Sequence, residues 1–358
     1  MAYLKLYREK LRENYNFLDN LFKKNDIKWG ITTKLLCGHE AYLKEVADLG
    51  IGEMHDSRIS NLKKIKEIDP DTMTTYIKPP PKDIIESVVK YADASLNTEL
   101  STLHALSDEA KKQGKVHKVI IMIEMGDLRE GVIRENIVDF YEEVFKLSNI
   151  EVLGIGTNLN CMHGVMPDED KLIQLSLYKQ IIELRFNKTI PLVSGGTTVT
   201  IPLLLRNQLP RGINHFRVGE ALFFGKDLFT GGTIEGMHND VLELYSQIIE
   251  IAEKPKVPSG ELGKNPQGQV TDIDEEDYGE TSYRAILDIG YLDINPEHII
   301  DVERDGEVNI VDASSDMLIL DVGDNQAGYE VGDFIRFRMK YMGALGIMNS
   351  DYIDKIVE

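Results

Sequence analysis

The sequence predicts an α/β protein in two parts: an N-terminal (β/α)8 TIM-like barrel and a C-terminal, mostly β domain. Three observations carry that expectation. Short apolar or β-branched segments ending in polar residues or glycine recur eight times in roughly the first 230 residues. Between them lie segments with apolar residues at helical spacing. Beyond that point the alternation gives way to turn-rich sequence with short strand-like runs. The expected division is 1–232 for the barrel and 233–358 for the β domain.

The eight strand candidates are "WGITTK", "GIGEMHD", "MTTYIK", "ADASLN", "KVIIMIEMGD", "VLGIGTN", "IPLVSGG" and "HFRVGE". Helical periodicity fills the intervals, as in "REKLRENYNFLDNLFKK" and "EDKLIQLSLYKQIIELRF". Alternation of this kind fits a closed barrel, with a doubly wound open sheet as its competitor, because periodicity does not report closure. In the second part, "NDVLELYSQIIEIAEKP" reads equally as helix or long strand, and "KPKVPSGELGKNPQGQVTDIDEEDYGE" reads as loop. "SYRAILDIGY", "HIIDVER", "GEVNIVDASSDMLILDVGD" and "DFIRFRMKY" read as strands with turns.

Composition narrows the function. The 358 residues hold 40 Lys and Arg against 60 Asp and Glu, a net charge of -20, so the surface should repel nucleic acid and anionic membranes. The two cysteines, Cys37 and Cys161, have neither a disulfide framework nor zinc spacing, and no metal is expected. The N-terminal segment is charged and amphipathic, unlike a signal peptide, and no run of about 18 apolar residues is present. A cytoplasmic enzyme is the expectation.

Active sites of barrels gather at the C-terminal ends of the strands. The polar residues there are Lys34, His55 and Asp56, Lys78, Asn97, Arg129, Asn158, Ser194 to Thr198, and Arg217 to Glu220. Lys34 is either a solvated strand terminus or an amine that condenses with an aldehyde. "VSGGTTVT" is either an ordinary glycine turn or a cradle of backbone N–H groups and hydroxyls for a phosphate. Arg217, with Gly219 two residues on, is a rim ion pair or a guanidinium aimed at an acceptor inside the barrel. Arg129, between Gly126 and Gly131, is a solvated loop residue or a fork for a substrate carboxylate. An amine for an aldehyde, a phosphate nest and two arginines together suit pyridoxal 5′-phosphate acting on an amino acid.

The same residues resemble the alanine racemase family, the fold-type III pyridoxal-phosphate enzymes, and most of all its alanine/ornithine racemase branch. The resemblance runs over nearly the whole chain and in order: "YREKLRENYNFL", Lys34, "EMGDLREG", "GIGTNL", "SGGTT", "RVGEALFFG", "AILDIGYLD" and "SSDMLILDVGD". It implies that Lys34 bonds the cofactor and acts as one base, and that Tyr291, from the other subunit of a homodimer, is the opposite base. It implies that Arg129 meets the ring oxygen and the substrate carboxylate, and that Arg217 meets the pyridine nitrogen and keeps it unprotonated. Gly219 and Glu220, with Ser194, Thr197 and Thr198, would hold the phosphate; Ser315 and Asp316 match the facing loop of the partner chain.

Four departures bear on specificity. Thr198 replaces the family's serine. Asn158 replaces a histidine that supports the pyridine arginine. The tyrosine that follows the lysine is missing from "KLLCGH", and Met122 excludes the carbamylated lysine near the fifth strand. The implied activity is racemisation of a basic amino acid, ornithine or lysine, by two-base transfer of the Cα proton. Asp316, Asp127 and Glu130 are the acids considered for a cationic side chain. Alanine or broad-specificity racemisation is the alternative; a decarboxylase, which normally carries a cysteine motif in its β domain, and a barrel-only cofactor-homeostasis protein are less favoured.

Overall fold

The computed structural model describes residues 2–264, 268, 270, 272–302 and 308–358. Parts of the expected loop 254–280, Glu303 and Arg304 of "HIIDVER", and Gly306 and Glu307 lie outside the described residues. The chain forms two compact units, one of Tyr7–Val241 and one of Leu242–Glu358 together with the N-terminal residues as far as Leu6.

The first unit is a ring of parallel strands: β1 (Lys28–Thr32), β2 (Glu53–Asp56), β3 (Met73–Tyr76), β4 (Ala94–Asn97), β5 (His117–Met122), β6 (Ile150–Gly156), β7 (Leu192–Ser194), β8 (Gly196–Thr197) and β9 (His215–Val218). Strands β1 to β7 pair each with the next, β1 also pairs with β9, and β9 pairs with β8. Gly195 alone separates β7 from β8 in the chain, so the two ends of the sheet meet and the barrel nearly closes. This decides between the barrel and the open sheet in favour of the barrel. The strands are buried on both faces, as parallel strands behind crossover helices must be: all four residues of β4 and five of six in β5 are buried.

The helices between the strands follow the expected periodicity. Arg8–Lys24 turns Leu11, Leu18 and Phe22 inward. Glu169–Phe186 starts at Asp168, whose carboxylate accepts the Lys171 N–H, and stops at Asn187 in the left-handed conformation (φ 51°). At the β7–β8 corner the glycine pair has a packing reason. A Cβ on Gly196 would sit 2.2 Å from the buried Phe216 ring.

The second unit is built on an eight-stranded sheet. Its spine is the fourteen-residue strand Leu242–Pro255, which resolves the ambiguous "VLELYSQIIEIAEKP" as strand. That strand pairs antiparallel with Thr281–Leu287, Phe334–Met339 and Tyr3–Leu6. Tyr3–Leu6 also pairs in parallel with Asp354–Val357, so the chain's first and last strands lie side by side. Asn309–Ala313 and Leu318–Asp321 form a hairpin, as "VNIVDASSDMLILD" suggested. The helix Tyr341–Asn349 follows the last of the expected strands; its sequence, YMGALGIMN, is apolar on nearly all sides and carries no amphipathic signature.

Candidate active site at the barrel mouth

The functional side chains of the first unit stand where the strands end. β1 runs into a tight 3-10 turn, Lys34–Leu36, anchored by the buried Leu35 and Leu36. The Thr33 N–H donates to the His55 carbonyl (2.8 Å), and its hydroxyl donates to Asp56 Oδ2 (2.9 Å). The other Asp56 oxygen accepts from the Arg58 N–H (2.9 Å) and Asn61 (3.1 Å). Burial raises the Asp56 carboxyl against the pull of these bonds. This braced corner presents an exposed Lys34 within electrostatic reach of Glu220. The Glu220 carboxyl is itself pushed up by burial, partly offset by Lys226 and Lys34.

On the neighbouring strand stands Arg217, 5% exposed, on the inward face of β9. Its Nη1 donates to the Ser194 carbonyl (2.9 Å) and to the Ser194 hydroxyl, and its Nη2 donates to the Thr157 carbonyl (2.8 Å) and Asn158 Oδ1 (2.6 Å). Asn158 in turn donates to Glu130, whose carboxylate is gripped by the Arg129 guanidinium. Arg129, Glu130, Asn158, Arg217 and Ser194 thus form one continuous polar chain across the strand ends. Burial lowers Arg217 to about 10, against the opposing pull of Cys161, Glu130 and Glu53.

The chain continues below Ser194. The Ser194 hydroxyl bonds His215 Nδ1 (2.6 Å), His215 Nε2 faces Glu53 Oε2 (3.2 Å), and Glu53 Oε1 faces His55 Nε2 (2.8 Å). His55 and His215 are 0% exposed. Burial pushes the Glu53 carboxyl up, but His215 and His55 outweigh it and hold it well below the usual carboxylate range.

The loops after β5 and β6 are locked to each other by Asp127. Its carboxylate, on a residue 1% exposed, accepts four backbone N–H groups, from Cys161 (3.0 Å), Met162 (2.9 Å), His163 (3.1 Å) and Val165 (3.3 Å). Asp127 is therefore saturated and unavailable to a substrate cation, and Glu130 is engaged by Arg129 and Asn158. Thr198 accepts the Ala221 N–H (3.1 Å), tying the glycine-rich loop to the Glu220–Phe224 turn, and Thr197 shares a capping box with Thr200. Lys78 lies over the Tyr76 ring (5.8 Å), and Asn97 turns back onto Ser95 (2.9 Å), so neither joins the cluster.

In the second unit, Tyr291, Ser315 and Asp316 come together. The Tyr291 N–H donates to the Ser314 carbonyl (3.0 Å) and the Leu292 N–H to the Ser315 carbonyl (2.8 Å). Gly290 permits this approach: a Cβ there would lie 2.4 Å from the Asp316 nitrogen. The Tyr291 side chain is 42% exposed. Asp316 Oδ1 accepts from Ser314 (3.3 Å) and Ser315 (3.2 Å).

A lysine at the first strand end, a buried arginine on the last strand and a second arginine after the fifth, on a barrel followed by a β domain, define the class of protein. Residues 7–227 match the family model described as "Alanine racemase, N-terminal domain". The chain is 41% identical over 347 residues to an ornithine racemase of Acetoanaerobium sticklandii, covering 97% of this chain and 96% of that protein. It is 30% identical over 350 residues to a lysine racemase of Thermotoga maritima, covering 98% and 96%. Its fold superposes on the alanine racemase of Bartonella henselae with covalently bound pyridoxal phosphate at a TM-score of 0.76, with 16% identity, covering 100% of this chain and 99% of that one. The chain belongs to the alanine racemase family.

Sequence reasoning passed over Glu53 and His215, and it considered Glu130 only as a partner for a substrate cation. The first two carried a signal: Glu53 and His55 alternate on β2, as His215 and Arg217 do on β9, so four polar side chains point inward from strands otherwise lined by apolar residues.

Proposed function

We propose that the chain is a pyridoxal 5′-phosphate-dependent racemase of a basic amino acid, ornithine or lysine, working as a cytoplasmic homodimer with shared active sites. The observation that carries the reading is the 41% identity to an ornithine racemase over nearly the full length of both chains. The state of Arg217 supports the cofactor. Its two terminal nitrogens are fully engaged, while among the described residues its Nε–H has no protein acceptor, the arrangement a ring nitrogen needs.

Lys34 would hold the cofactor through its aldehyde, Arg217 its ring nitrogen and Arg129 its ring oxygen. The Thr197 and Thr198 hydroxyls and the backbone at Gly219 and Glu220 would hold its phosphate. Ser194 and Asn158 act by aiming Arg217. When bound, the cofactor supplies an electron sink that acidifies the substrate Cα–H.

The rest is done by the chain's own groups. Arg129 anchors the substrate carboxylate beside the ring. Lys34 Nζ takes or returns a proton on one face, and the Tyr291 hydroxyl of a partner subunit does so on the other. With Asp127 and Glu130 committed elsewhere, Asp316 is the carboxylate left for the substrate's distal ammonium, and Asp288 and Asp293 add negative charge around it.

The test is chiral chromatography after incubation with L-ornithine, L-lysine, L-alanine and L-serine. Racemisation of ornithine or lysine at least tenfold faster than of alanine is expected, and the reverse preference overturns the substrate assignment.

A further inference from the structure

The Glu53–His55–His215 cluster lies beneath the candidate site and is used by none of the steps above. It invites two readings. One is a metal site, because the three side chains bring a donor atom each within 4.8 Å of one another. The other is a support for the arginine above it.

The charges favour the second. Glu53 is the one carboxylate in the cluster, and its two oxygens are each faced by an imidazole nitrogen. Arg217, a buried guanidinium, stands two links away through His215 and Ser194. A divalent ion here would face that cation across the interior, where charges interact strongly. Metal-bound histidines also donate their second N–H to an acceptor, and His55 Nδ1, buried, has none among the described residues. A carboxylate facing a cation through two bridging side chains needs no ion.

The backbone is cut to fit. Glycine at position 30 of β1 leaves the space: a Cβ there would lie 2.6 Å from His55 Nε2 and 2.9 Å from Glu53 Cγ. The Thr75 hydroxyl on β3 donates a further bond to Glu53 Oε1 (3.3 Å). Four strands, β1, β2, β3 and β9, therefore fix one carboxylate.

We infer that Glu53 is a positioning residue. Its carboxylate, seated inside the barrel, is a counter-ion, alongside Glu130, that helps to fix Arg217 through His215 and Ser194, with His55 clamping its other oxygen. The inference deepens the proposed function, since it rests on Arg217 meeting the cofactor ring, but its first readout needs no cofactor.

In cofactor-free protein labelled with [15N]arginine, the hydrogen-bonded Arg217 Nη–H groups, assigned through Arg217→Lys, should exchange slowly with solvent. Glu53→Gln keeps the shape and removes the charge; it should speed that exchange by at least about tenfold. Glu53→Asp keeps the charge and should lie between Gln and the parent. Exchange within twofold of the parent in Glu53→Gln, or a larger effect of Asp than of Gln, overturns the inference, because a residue that only fills space is hurt more by shortening than by neutralisation. Should Glu53→Gln fail to fold, Glu53→Asp carries the test alone, and unchanged exchange overturns it.

In the holoenzyme, the pH at which the bound cofactor's visible absorbance changes should move by about one unit in Glu53→Gln; no movement overturns the link to the ring. Zinc is the probe for the rival. If zinc copurifies in a one-to-one ratio and its chelation alone speeds Arg217 exchange, the cluster is a metal site. Absence of pyridoxal phosphate from the purified protein would sink the proposed function while leaving the exchange test intact.

Discussion

Arg217 shows how much one side chain depends on its surroundings. A guanidinium presents a planar fork, and here four acceptors meet two of its nitrogens while, among the described residues, the Nε–H has no acceptor. Lysine offers a point charge in place of the fork. Arg217→Lys should therefore fold and lower kcat/KM by about a hundredfold, by analogy with the loss of one preorganised donor; steady-state assays with L-ornithine measure this. Lys34 is the simpler case. Lys34→Ala should abolish both the visible absorbance of bound cofactor and racemisation, and a fully active Lys34→Ala protein would dispose of the mechanism.

At the scale of elements, two features make distinct predictions. The loops after β5 and β6 carry Arg129 and Asn158, and Asp127 is the pin that holds them together. Asp127→Ala would strand four backbone N–H groups and cost about 2–3 kcal/mol in loop stability. The expected signature is a KM raised by about tenfold with a smaller change in kcat, as Arg129 drifts from the substrate carboxylate. The strand pair β4–β5 makes a pH prediction. His117, 2% exposed and bonded to the Ser95 hydroxyl (2.8 Å), is lowered by burial to about 4. The unfolded chain, with a histidine near 6.5, binds a proton that the folded chain refuses between those values. Stability should therefore be fully present above about pH 6.5 and decline toward pH 4, by about 3 kcal/mol for this residue. Urea unfolding across that range should show a shallower acid limb in His117→Gln.

For the whole molecule, the decisive question is whether one chain completes a site alone. Tyr291 and Lys34 belong to different units of the chain. If the tyrosine serves the partner's lysine, coexpressed Lys34→Ala and Tyr291→Phe chains, each inactive, form mixed dimers in which one site of two is whole. Random pairing then restores about a quarter of the parent activity. No recovery, in mixed dimers verified by mass, would show that each chain completes its own site.

The sequence by itself determined the strand–helix alternation of the barrel, because period-two and period-3.6 patterning are local properties, and it placed Lys34, Arg129, Asn158 and Arg217 at strand ends. It also carried the hairpin at 309–321. Only the tertiary structure decided the rest. Barrel closure at Gly195 is a meeting of β7 with β8 and β9 that no local pattern encodes. "VLELYSQIIEIAEKP" became strand because Tyr3–Leu6, Thr281–Leu287 and Phe334–Met339 flank it, two of them distant in sequence. Glu53 meets His215 across 162 positions of chain. A carboxylate near the start of a short strand reads as solvated until the fold wraps it in low-dielectric surroundings and hands it two imidazoles, and that burial is what sets Glu53 apart from an ordinary glutamate.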